Sequence, residues 1–190
     1  SAAAWLLAPT LTRLAQTRIE VAFADHDVSE EEFGRLAAEY DLVVGHTMAD
    51  RTPAWQSGLL VTTLAREPLD VALPAGHRLC GQAVVRPPDL VGMPWIGVPT
   101  GFPFDTLRLA IEQAGGFRFE VVQRLRDNDV VASLVAAGFG AALLPRFTTR
   151  PRPGLATRPL AGVRSSRRIV AIARPDKAER AAVRVVLQAL

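Results

Sequence analysis

Hydrophobic and polar positions follow two different periods along this chain. Segments with an apolar residue at roughly every third or fourth position predict amphipathic helices, and short segments that are apolar throughout or at alternate positions predict strands. The two kinds of segment alternate, with Gly, Pro and Asp between them. This order is typical of an α/β fold, and it predicts a mainly parallel sheet with helices on both faces.

Capping residues mark the ends of the predicted helices. Ser29 and Glu32 have the spacing of a capping box, which predicts a helix that runs through Tyr40. The inner face of that helix is predicted to carry Phe33, Leu36 and Ala37. The other predictions are helices over 2–16, 104–116, 127–138 (N-cap Asp127) and 176–190 (N-cap Asp176), and one helical turn over 86–92.

The strands are predicted in two series, which suggests two lobes. Strands are expected on both sides of Glu67-Pro68, because proline interrupts the hydrogen-bonded ladder of a strand. The predicted strands cover 18–24, 41–45, 59–66, 69–74, 94–98, 117–125, 140–145, 154–159 and 168–174. The pattern restarts after Pro74, so we expect a second lobe inserted into the first. Lobe I is predicted over 1–72 and 145–190, and lobe II over 73–144.

The composition is that of an ordinary globular protein, with 49% hydrophobic and 22% charged residues in 190. The apolar start is interrupted by Pro9 and Arg13, unlike a signal peptide, and no apolar run has the length of a membrane span. A single cysteine excludes an internal disulfide and fits a cytoplasmic protein. The net charge of +3 is small. The basic residues of 145–168 alternate with Pro and Gly, which indicates a solvated, mobile connection rather than a nucleic-acid surface.

The inventory of reactive side chains argues against an enzyme. The sequence has no GxSxG, GxxxxGK[ST] or HExxH pattern, and His26, His46 and His77 lie in separate segments. Asp25 and Asp27 flank His26 as in a metal or acid–base cluster, but their position just before a capping box favours a loop. Cys80 has no evident activating base, which favours a structural thiol. We therefore expect no catalytic residue, no metal site and no cofactor.

Three segments together resemble a known family. TLAREPLDVALPAGHRL, DLVGMPWIGV and VVASLVAAGFGAALLP occur in the order and at the spacing of the effector-binding domains of LysR-type transcription regulators. The resemblance covers nearly the whole chain. It implies the periplasmic-binding-protein type 2 fold: two Rossmann-like α/β lobes, two crossover strands near Leu69–Pro74 and Gly140–Pro145, and a small molecule in the cleft. It also implies a structural role for His77.

The resemblance further implies a regulatory function. The domain would sense a small, anionic metabolite and act through a homodimer, or a tetramer of the full-length protein. Candidate dimer contacts are the first helix, with Trp5 and Leu6 exposed, and the helix Asp129–Ala137. The family's winged helix-turn-helix is absent from this sequence, so DNA would be bound only through that missing N-terminal domain, and no membrane is involved. The family's domain also opens with a strand before its first helix, so residues before Ser1 are expected to belong to the folded polypeptide.

Candidate effector-binding residues lie where strands end and helices begin, because free backbone amides there suit an anion. Ser1 and Ala2 open the first helix and either hold a carboxylate or form a plain N-cap. The other candidates are His46 and Thr47 after a strand, Asn128 at a helix start, Phe139 near the return crossover, and the loop formed by Pro99, Thr100, Gly101 and Phe102. That loop also matches a ligand-contacting loop of the family. Turn, solvation, capping or core roles are the alternatives at each place.

Two other functions stay open at this point. A free-standing extracytoplasmic solute-binding protein has the same fold, and the sequence upstream of the chain would discriminate it from a regulator. A small enzyme of the same fold, of the dehydratase type, needs an acid–base group in the cleft. Among the candidate residues only His46 titrates near neutral pH.

Overall fold

The computed structural model describes residues 2–26, 28–48 and 56–190, with side chains from Leu6 onward. The helices of this part of the chain are α1 Ala2–Leu14, α2 Phe33–Glu39, α3 Pro103–Gly115, α4 Asn128–Ala136, α5 Pro175–Ala178 and α6 Ala181–Ala189. The strands are β1 Val43–Thr47, β2 Leu60–Pro74, β3 Pro94–Gly97, β4 Glu120–Arg124, β5 Ala142–Pro145, β6 Leu155–Pro159 and β7 Ser166–Ala173. Short 3-10 turns at Glu30–Glu32, Arg78–Gly81 and Pro87–Leu90 complete the elements.

The chain divides into two compact units. Unit 1 comprises Ser1–Arg66 and Arg168–Leu190, and unit 2 comprises Glu67–Arg167. Strand β2 therefore contributes residues to both units. The lobe boundaries predicted from the sequence, after residues 72 and 144, fall inside unit 2 and stay a prediction.

Unit 1 is built around α2 and the pair β1–β7. The two strands pair antiparallel, with Val43 opposite Ile172. Phe33, Leu36 and Ala37 pack against Val43, Val170 and Ile172, as the capping-box pattern predicted. The backbone N–H of Ser29 donates to the Glu32 carboxylate at 3.2 Å, which confirms that part of the capping box.

Unit 2 has β2 at the centre of three strands and a second, two-stranded sheet. β5 and β6 both pair antiparallel with β2, whereas β3 and β4 pair parallel. Helix α4 covers the core with Val131, Ala132 and Val135, which contact Ala72, Ile96, Ala142 and Leu144. The Asp127 carboxylate accepts from the amides of Asp129 and Val130, so its predicted role as N-cap is confirmed.

The expectation of a mainly parallel sheet is wrong for the described pairings. Among the described residues, α-helices separate successive strands in the series β3–α3–β4–α4–β5, and parallel neighbours need such a crossover. The strands β5, β6 and β7 follow one another without a helix. They pair with β2 or β1 in the antiparallel sense wherever the register is known.

Strand β2 runs without a break through Glu67-Pro68, so the two separate strands predicted at 59–66 and 69–74 are wrong. Proline lacks an N–H, but its carbonyl still accepts from the amide of Arg146 at 2.9 Å. The paired ladder with β5 begins one residue later, at Leu69 opposite Pro145. Pro68 therefore lies just before the paired ladder of β2 with β5.

Two further element predictions are wrong. Residues 18–26 are irregular, and no described strand pairs with them, although the predicted strand covered 18–24; Phe23 there is 49% exposed. The last helix is split into α5 and α6 because Arg180 is extended, with ψ 133°. Pro175 takes the first helical position, so the N-cap is Arg174 and not Asp176.

Two arginines between β5 and β7 are bound to other segments and are not simply solvated, whereas the sequence had led us to expect solvation. Arg158 donates to the carbonyls of Cys80 and Gln82, the latter at 3.0 Å. Arg152 is paired with Asp129 at 3.0 Å. Side chains of this segment therefore attach it to the rest of unit 2.

The exposure of side chains in α1 and α4 bears on the predicted dimer contacts. Leu6 is only 7% exposed, so the expectation that it offers an exposed dimer contact is wrong; it lies on the buried side of α1. The side chain of Trp5 lies outside the described part. In helix α4, Val130 is exposed at 47%. Within the described residues, no helix is long and apolar enough to cross a membrane.

Candidate functional site

The loop Pro99–Phe102 connects β3 to α3 in unit 2. Thr100 and Gly101 are exposed, and Gly101 has a φ of +84°, a conformation that favours glycine. Phe102 is the N-cap residue of α3, with an extended backbone, and Pro103 occupies the first helical position. The loop therefore has the backbone of a helix start, as its sequence predicted.

Two amides of this loop, those of Gly101 and Phe102, already have acceptors within the protein. The N–H of Gly101 donates to Asp105 Oδ2 at 3.4 Å, and the N–H of Phe102 donates to the Pro99 carbonyl at 3.2 Å. The sequence led us to expect an exposed backbone donor at Gly101. In the structure the Asp105 carboxylate occupies that donor.

Asp105 is buried and connects the loop to two arginines. Its Oδ1 accepts from Arg108 Nε at 2.8 Å and from Arg124 Nη1 at 3.2 Å. Arg124 Nη1 also donates to the Val98 carbonyl at 2.8 Å, just before the loop. Burial alone would raise the pKa of Asp105, but the hydrogen bonds from Arg108 and Arg124 outweigh it and hold that pKa below its ordinary value.

Arg108 continues the network along α3 to Glu112. Arg108 Nη1 lies 2.5 Å from Glu112 Oε1, which also accepts from the amide of Phe119 at 2.9 Å. Arg118 reaches the other oxygen at 3.0 Å. Burial would raise the pKa of Glu112, but the Phe119 amide and the two arginines keep it below its ordinary value. Both carboxylates are therefore held ionised.

A small cavity of about 10 Å³ lies beside this network. A cavity of that size holds about one water molecule, so the cavity alone has no room for a metabolite. Asn128, at the start of α4, lines it together with Val98 and Arg108. The structure thus brings Asn128 close to the arginine network and to the residue that precedes the Pro99–Phe102 loop.

Arg126 lies at the end of the loop, next to Phe102. Its guanidinium carbon lies 4.6 Å from the centroid of the Phe102 ring, a cation–π contact. Phe102 is half-buried and Arg126 is exposed. The loop is therefore bordered by a planar cation stacked on a ring and by the guanidinium of Arg124.

Phe139 is not placed beside this loop by any described contact. It follows Gly138, which has a φ of +86°, and its side chain is 62% exposed. Its amide donates to the Leu134 carbonyl at 3.1 Å, which closes the end of α4. An added Cβ on Gly140 would lie 2.7 Å from the Pro94 carbonyl oxygen, so the backbone approaches closely there.

The remaining candidates lie in unit 1. Ser1 lies outside the described residues, and Ala2 is the first residue of α1. His46 is half-buried in β1, and Thr47 is buried at the end of that strand. The Thr47 hydroxyl donates to Glu30 Oε2 at 2.6 Å, and Glu30 Oε1 accepts from the Met48 amide at 3.2 Å.

Alternative chemical sites find little support in the described part of the chain. It holds no group of His, Cys, Asp and Glu residues that could bind a metal, and Asp27 of the suggested cluster lies outside it. His26 Nε2 is 2.7 Å from the Tyr40 hydroxyl. His77 Nδ1 accepts from the Leu79 amide at 3.3 Å and caps a 3-10 turn, a structural role. Cys80 is half-buried, and its thiol donates to the Pro74 carbonyl at 3.3 Å.

Sequence reasoning missed the charged residues around the loop, namely Asp105, Arg108, Arg124 and Arg126. One signal was available: Asp105, Arg108 and Glu112 are spaced three and four residues apart on a predicted helix, which places them on one face. The second signal was the apolar character of the same face, which predicts that these charges are buried. No comparable signal existed for Arg124 and Arg126, because their contacts with Val98, Asp105 and Phe102 join segments that are distant in sequence.

The α/β fold is that of the periplasmic-binding-protein type 2 class. The model of the family described as LysR substrate binding domain matches residues 1–190, so the chain belongs to that family. It is the effector-binding domain of LysR-family transcriptional regulators. A comparison with curated proteins finds no match.

Solved structures of this family share the fold at low sequence identity. HinK, a LysR family transcriptional regulator from Pseudomonas aeruginosa, is 22% identical, with a TM-score of 0.79 over 99% of this chain and 64% of HinK. The CcmR regulatory domain of Synechocystis, in complex with 2-PG, is 17% identical, with a TM-score of 0.79 over 98% of this chain and 89% of that one. The effector-binding domain of QuiR, in complex with shikimate, is 10% identical, with a TM-score of 0.77 over 97% and 87%. The chain thus spans less than two thirds of HinK.

Proposed function

We propose that this chain senses a small anionic metabolite for a LysR-type transcription regulator. The observation that carries the proposal is the pair of guanidinium groups next to the Pro99–Phe102 loop: Arg124 binds the Val98 carbonyl just before the loop, and Arg126 lies over the Phe102 ring at its end. Arg126 also offers a planar surface with Phe102, and guanidinium groups bind carboxylates and phosphates with paired hydrogen bonds. The related domains bound to 2-PG and to shikimate support a small-molecule ligand.

The structure alters the chemical basis of the proposed site. Because the Gly101 amide already donates to Asp105, the effector's negative group binds the Thr100 hydroxyl and the guanidinium groups rather than that amide. Asn128 and the ring of Phe102 contact the rest of the effector. The remaining proposed contacts, in a cleft between the predicted lobes, are Ser1, Ala2, His46, Thr47, Pro99, Gly101 and Phe139.

Regulation follows from binding in that cleft. The effector changes the angle between lobe I, residues 1–72 and 145–190, and lobe II, residues 73–144, and a homodimer transmits the change. In the full-length regulator the dimer pairs into a tetramer and binds DNA through a winged helix-turn-helix domain. Such a regulator works in the cytoplasm.

The test is a thermal-shift and calorimetric screen of this chain. Matched organic acids, with shikimate and 2-PG among them, are compared with amines and neutral alcohols of similar size. An acid that binds is expected to raise Tm, because a ligand at about one hundred times its Kd adds about 2.7 kcal/mol of stability. Binding of only cationic or neutral compounds would contradict an anionic effector.

A pair of arginine variants locates the binding site. Arg126→Ala removes the guanidinium next to Phe102. It is expected to raise the Kd of the acid that binds by at least tenfold, about 1.4 kcal/mol. Arg150→Ala, at an exposed position between β5 and β6, is the matched control and is expected to leave Kd unchanged. Equal losses in both variants would indicate long-range attraction by net positive charge instead of a site at this loop.

A further inference from the structure

Asp105 occupies two separate donors next to the Pro99–Phe102 loop. Its Oδ2 accepts from the Gly101 amide at 3.4 Å, and its Oδ1 accepts from Arg124 Nη1 at 3.2 Å. All three residues lie in unit 2. A carboxylate of the protein itself therefore binds donors that an anionic ligand of this loop would otherwise use.

Arg124 nevertheless keeps one edge of its guanidinium group open. Nη1 carries two hydrogen atoms, which it donates to Asp105 and to the Val98 carbonyl, the latter at 2.8 Å. Within the described part of the chain, no acceptor binds its Nε or Nη2, and the side chain is 36% exposed. The N–H groups of Nε and Nη2 are parallel, so this edge fits two oxygens of a carboxylate or a phosphate.

Arg108, the other guanidinium on Asp105, is buried instead. Its side chain is 10% exposed. Its Nε donates to Asp105 at 2.8 Å, and its Nη1 lies 2.5 Å from Glu112. Of the two guanidinium groups on Asp105, Arg124 is therefore the one that can meet a ligand.

The negative charge of Asp105 lies close to the open edge of Arg124. Asp105 is 3% exposed. Burial alone would raise its pKa, but hydrogen bonds from Arg108 and Arg124 hold that pKa below its ordinary value, so the carboxylate is ionised. An anion on the Nε–Nη2 edge shares one guanidinium with this carboxylate, and the two repel with little screening by water. A second negative charge on the ligand adds repulsion and finds no further donor on Arg124.

We propose that Asp105 is a specificity-determining residue, which makes the site select carboxylate monoanions over phosphate dianions. Arg124 binds the two oxygens of the carboxylate through Nε and Nη2. Asp105 repels the second charge of a phosphate dianion and withholds the Gly101 amide that a third oxygen would need. The inference rests on the proposed function, because it concerns the effector's anionic group at this loop.

The test compares two small probes that differ in charge. Formate and methyl phosphate are titrated into the chain at constant ionic strength. NMR follows the Cζ signal of Arg124 in a chain with isotopically labelled arginine, and Arg124→Lys assigns that signal by its loss. At about pH 8 methyl phosphate is a dianion, because the second pKa of a phosphate monoester is about 6. Its Kd is expected to be at least about fivefold higher than that of formate.

Lowering the pH to about 5 changes the charge of methyl phosphate without any mutation. The monoanion is expected to bind as formate does, so the two Kd values come to within about twofold of one another. Formate stays ionised and reports any titration of the protein itself. A Kd ratio that does not change with pH would overturn the proposal, since the site would not be selecting by charge.

Asp105→Asn removes the charge and keeps the shape of the side chain. At about pH 8 it is expected to bring the two Kd values to within about twofold, chiefly because methyl phosphate then binds more tightly. Glu120→Gln is the matched control and is expected to keep the parent ratio. Glu120 is exposed on the same strand as Arg124, about 13 Å away along it.

The Kd ratio separates selectivity from a merely structural role of Asp105. A structural loss in Asp105→Asn weakens both probes alike, and a ratio unchanged for that reason counts against the proposal. Circular dichroism checks that each variant is folded. If Asp105→Asn does not fold, the pH experiment on the parent chain decides.

The outcomes also distinguish this inference from the proposed function. Organic acids may bind in the thermal-shift screen while the two probes bind equally at about pH 8, or while neither shifts the Arg124 signal. Either result would reject the inference and leave the proposed function standing. Acids that bind neither in the screen nor at Arg124 would reject both.

Discussion

Gly140 illustrates how a single residue without a side chain fixes the packing of unit 2. An added Cβ would lie 2.7 Å from the carbonyl oxygen of Pro94 and 3.1 Å from its carbon, which are backbone atoms and cannot rotate away. The neighbouring amide of Ala141 donates to the same carbonyl at 2.9 Å. The absence of a side chain at position 140 therefore lets β5 approach β3.

Gly140→Ala is expected to lower the free energy of unfolding by about 1–3 kcal/mol, as for other overpacked cores. Urea denaturation followed by circular dichroism measures the change. Gly81→Ala is the control, because a Cβ there meets nothing within 4 Å. It is expected to change stability by no more than about 0.5 kcal/mol. Equal effects of the two substitutions would contradict the role of close packing.

The lowered pKa of Asp105 predicts how the free energy of unfolding depends on pH. Its pKa lies below the ordinary value in the folded chain, so ionised Asp105 favours folding. The contribution is complete above the unfolded pKa of about 3.9 and is lost as pH falls through the lower, folded pKa. Asp105→Asn removes this contribution, so the variant is expected to lose less stability than the parent between about pH 4 and pH 2.

Urea titrations of both proteins at successive pH values measure that difference. Asp41→Asn is the control, because Asp41 has a 63% exposed side chain and forms only a surface pair with Arg180. A pH profile for Asp105→Asn that parallels the parent would show that its arginine partners do not stabilise the ionised form.

At the scale of elements, the C-terminus of helix α2 is bound by a side chain from another helix. The ammonium group of Lys177, in α5, donates to the carbonyls of Ala37, Ala38 and Tyr40 at 3.2, 2.8 and 2.8 Å. The last carbonyls of a helix lack partners within it, and a cation there also opposes the negative end of the helix dipole.

Lys177→Met keeps the length of the side chain and removes its charge. It is expected to destabilise the chain by about 1–3 kcal/mol, the range for hydrogen bonds to a charged group. Thermal or urea unfolding provides the measurement. Arg184→Met, at an exposed position of α6, is expected to have little effect. A loss in Lys177→Met no larger than in Arg184→Met would mean that water replaces the ammonium group.

The sequence predicted single elements better than it predicted their partners. Capping residues located α2 and α4, because the bonds that form a cap lie within a few residues. The partners of a strand are distant in sequence, so the antiparallel pairing and the irregular segment 18–26 were not foreseen. The same limit applies to the site. The loop Pro99–Phe102 was found from its local pattern, whereas the contacts of Arg124 with Val98 and Asp105 depend on the fold.

For the molecule as a whole, continuity of the chain differs between the two units. Unit 2 is one continuous segment, Glu67–Arg167, and contains its own core. Unit 1 joins residues at both ends of the chain, and its core needs Val170 and Ile172 from β7 against α2. The units therefore differ in what they require in order to fold.

We expect a fragment of residues 67–167 to fold on its own and a fragment of residues 1–66 not to fold. Circular dichroism and urea denaturation of the two fragments make the comparison, and a cooperative transition marks folding. A disordered 67–167 fragment would show that unit 2 needs unit 1. A folded 1–66 fragment would show that β7 is dispensable.

The role of strand β2 in both units limits insertions and deletions within it. Its 15 residues contribute to unit 1 at one end and pair with β5 and β6 at the other. Deleting or inserting one residue between those ends exchanges inward and outward side chains in one half, because neighbouring positions of a strand face opposite ways. Homologous sequences should therefore vary freely in residue type at the exposed positions of β2. The number of residues in the strand should stay constant.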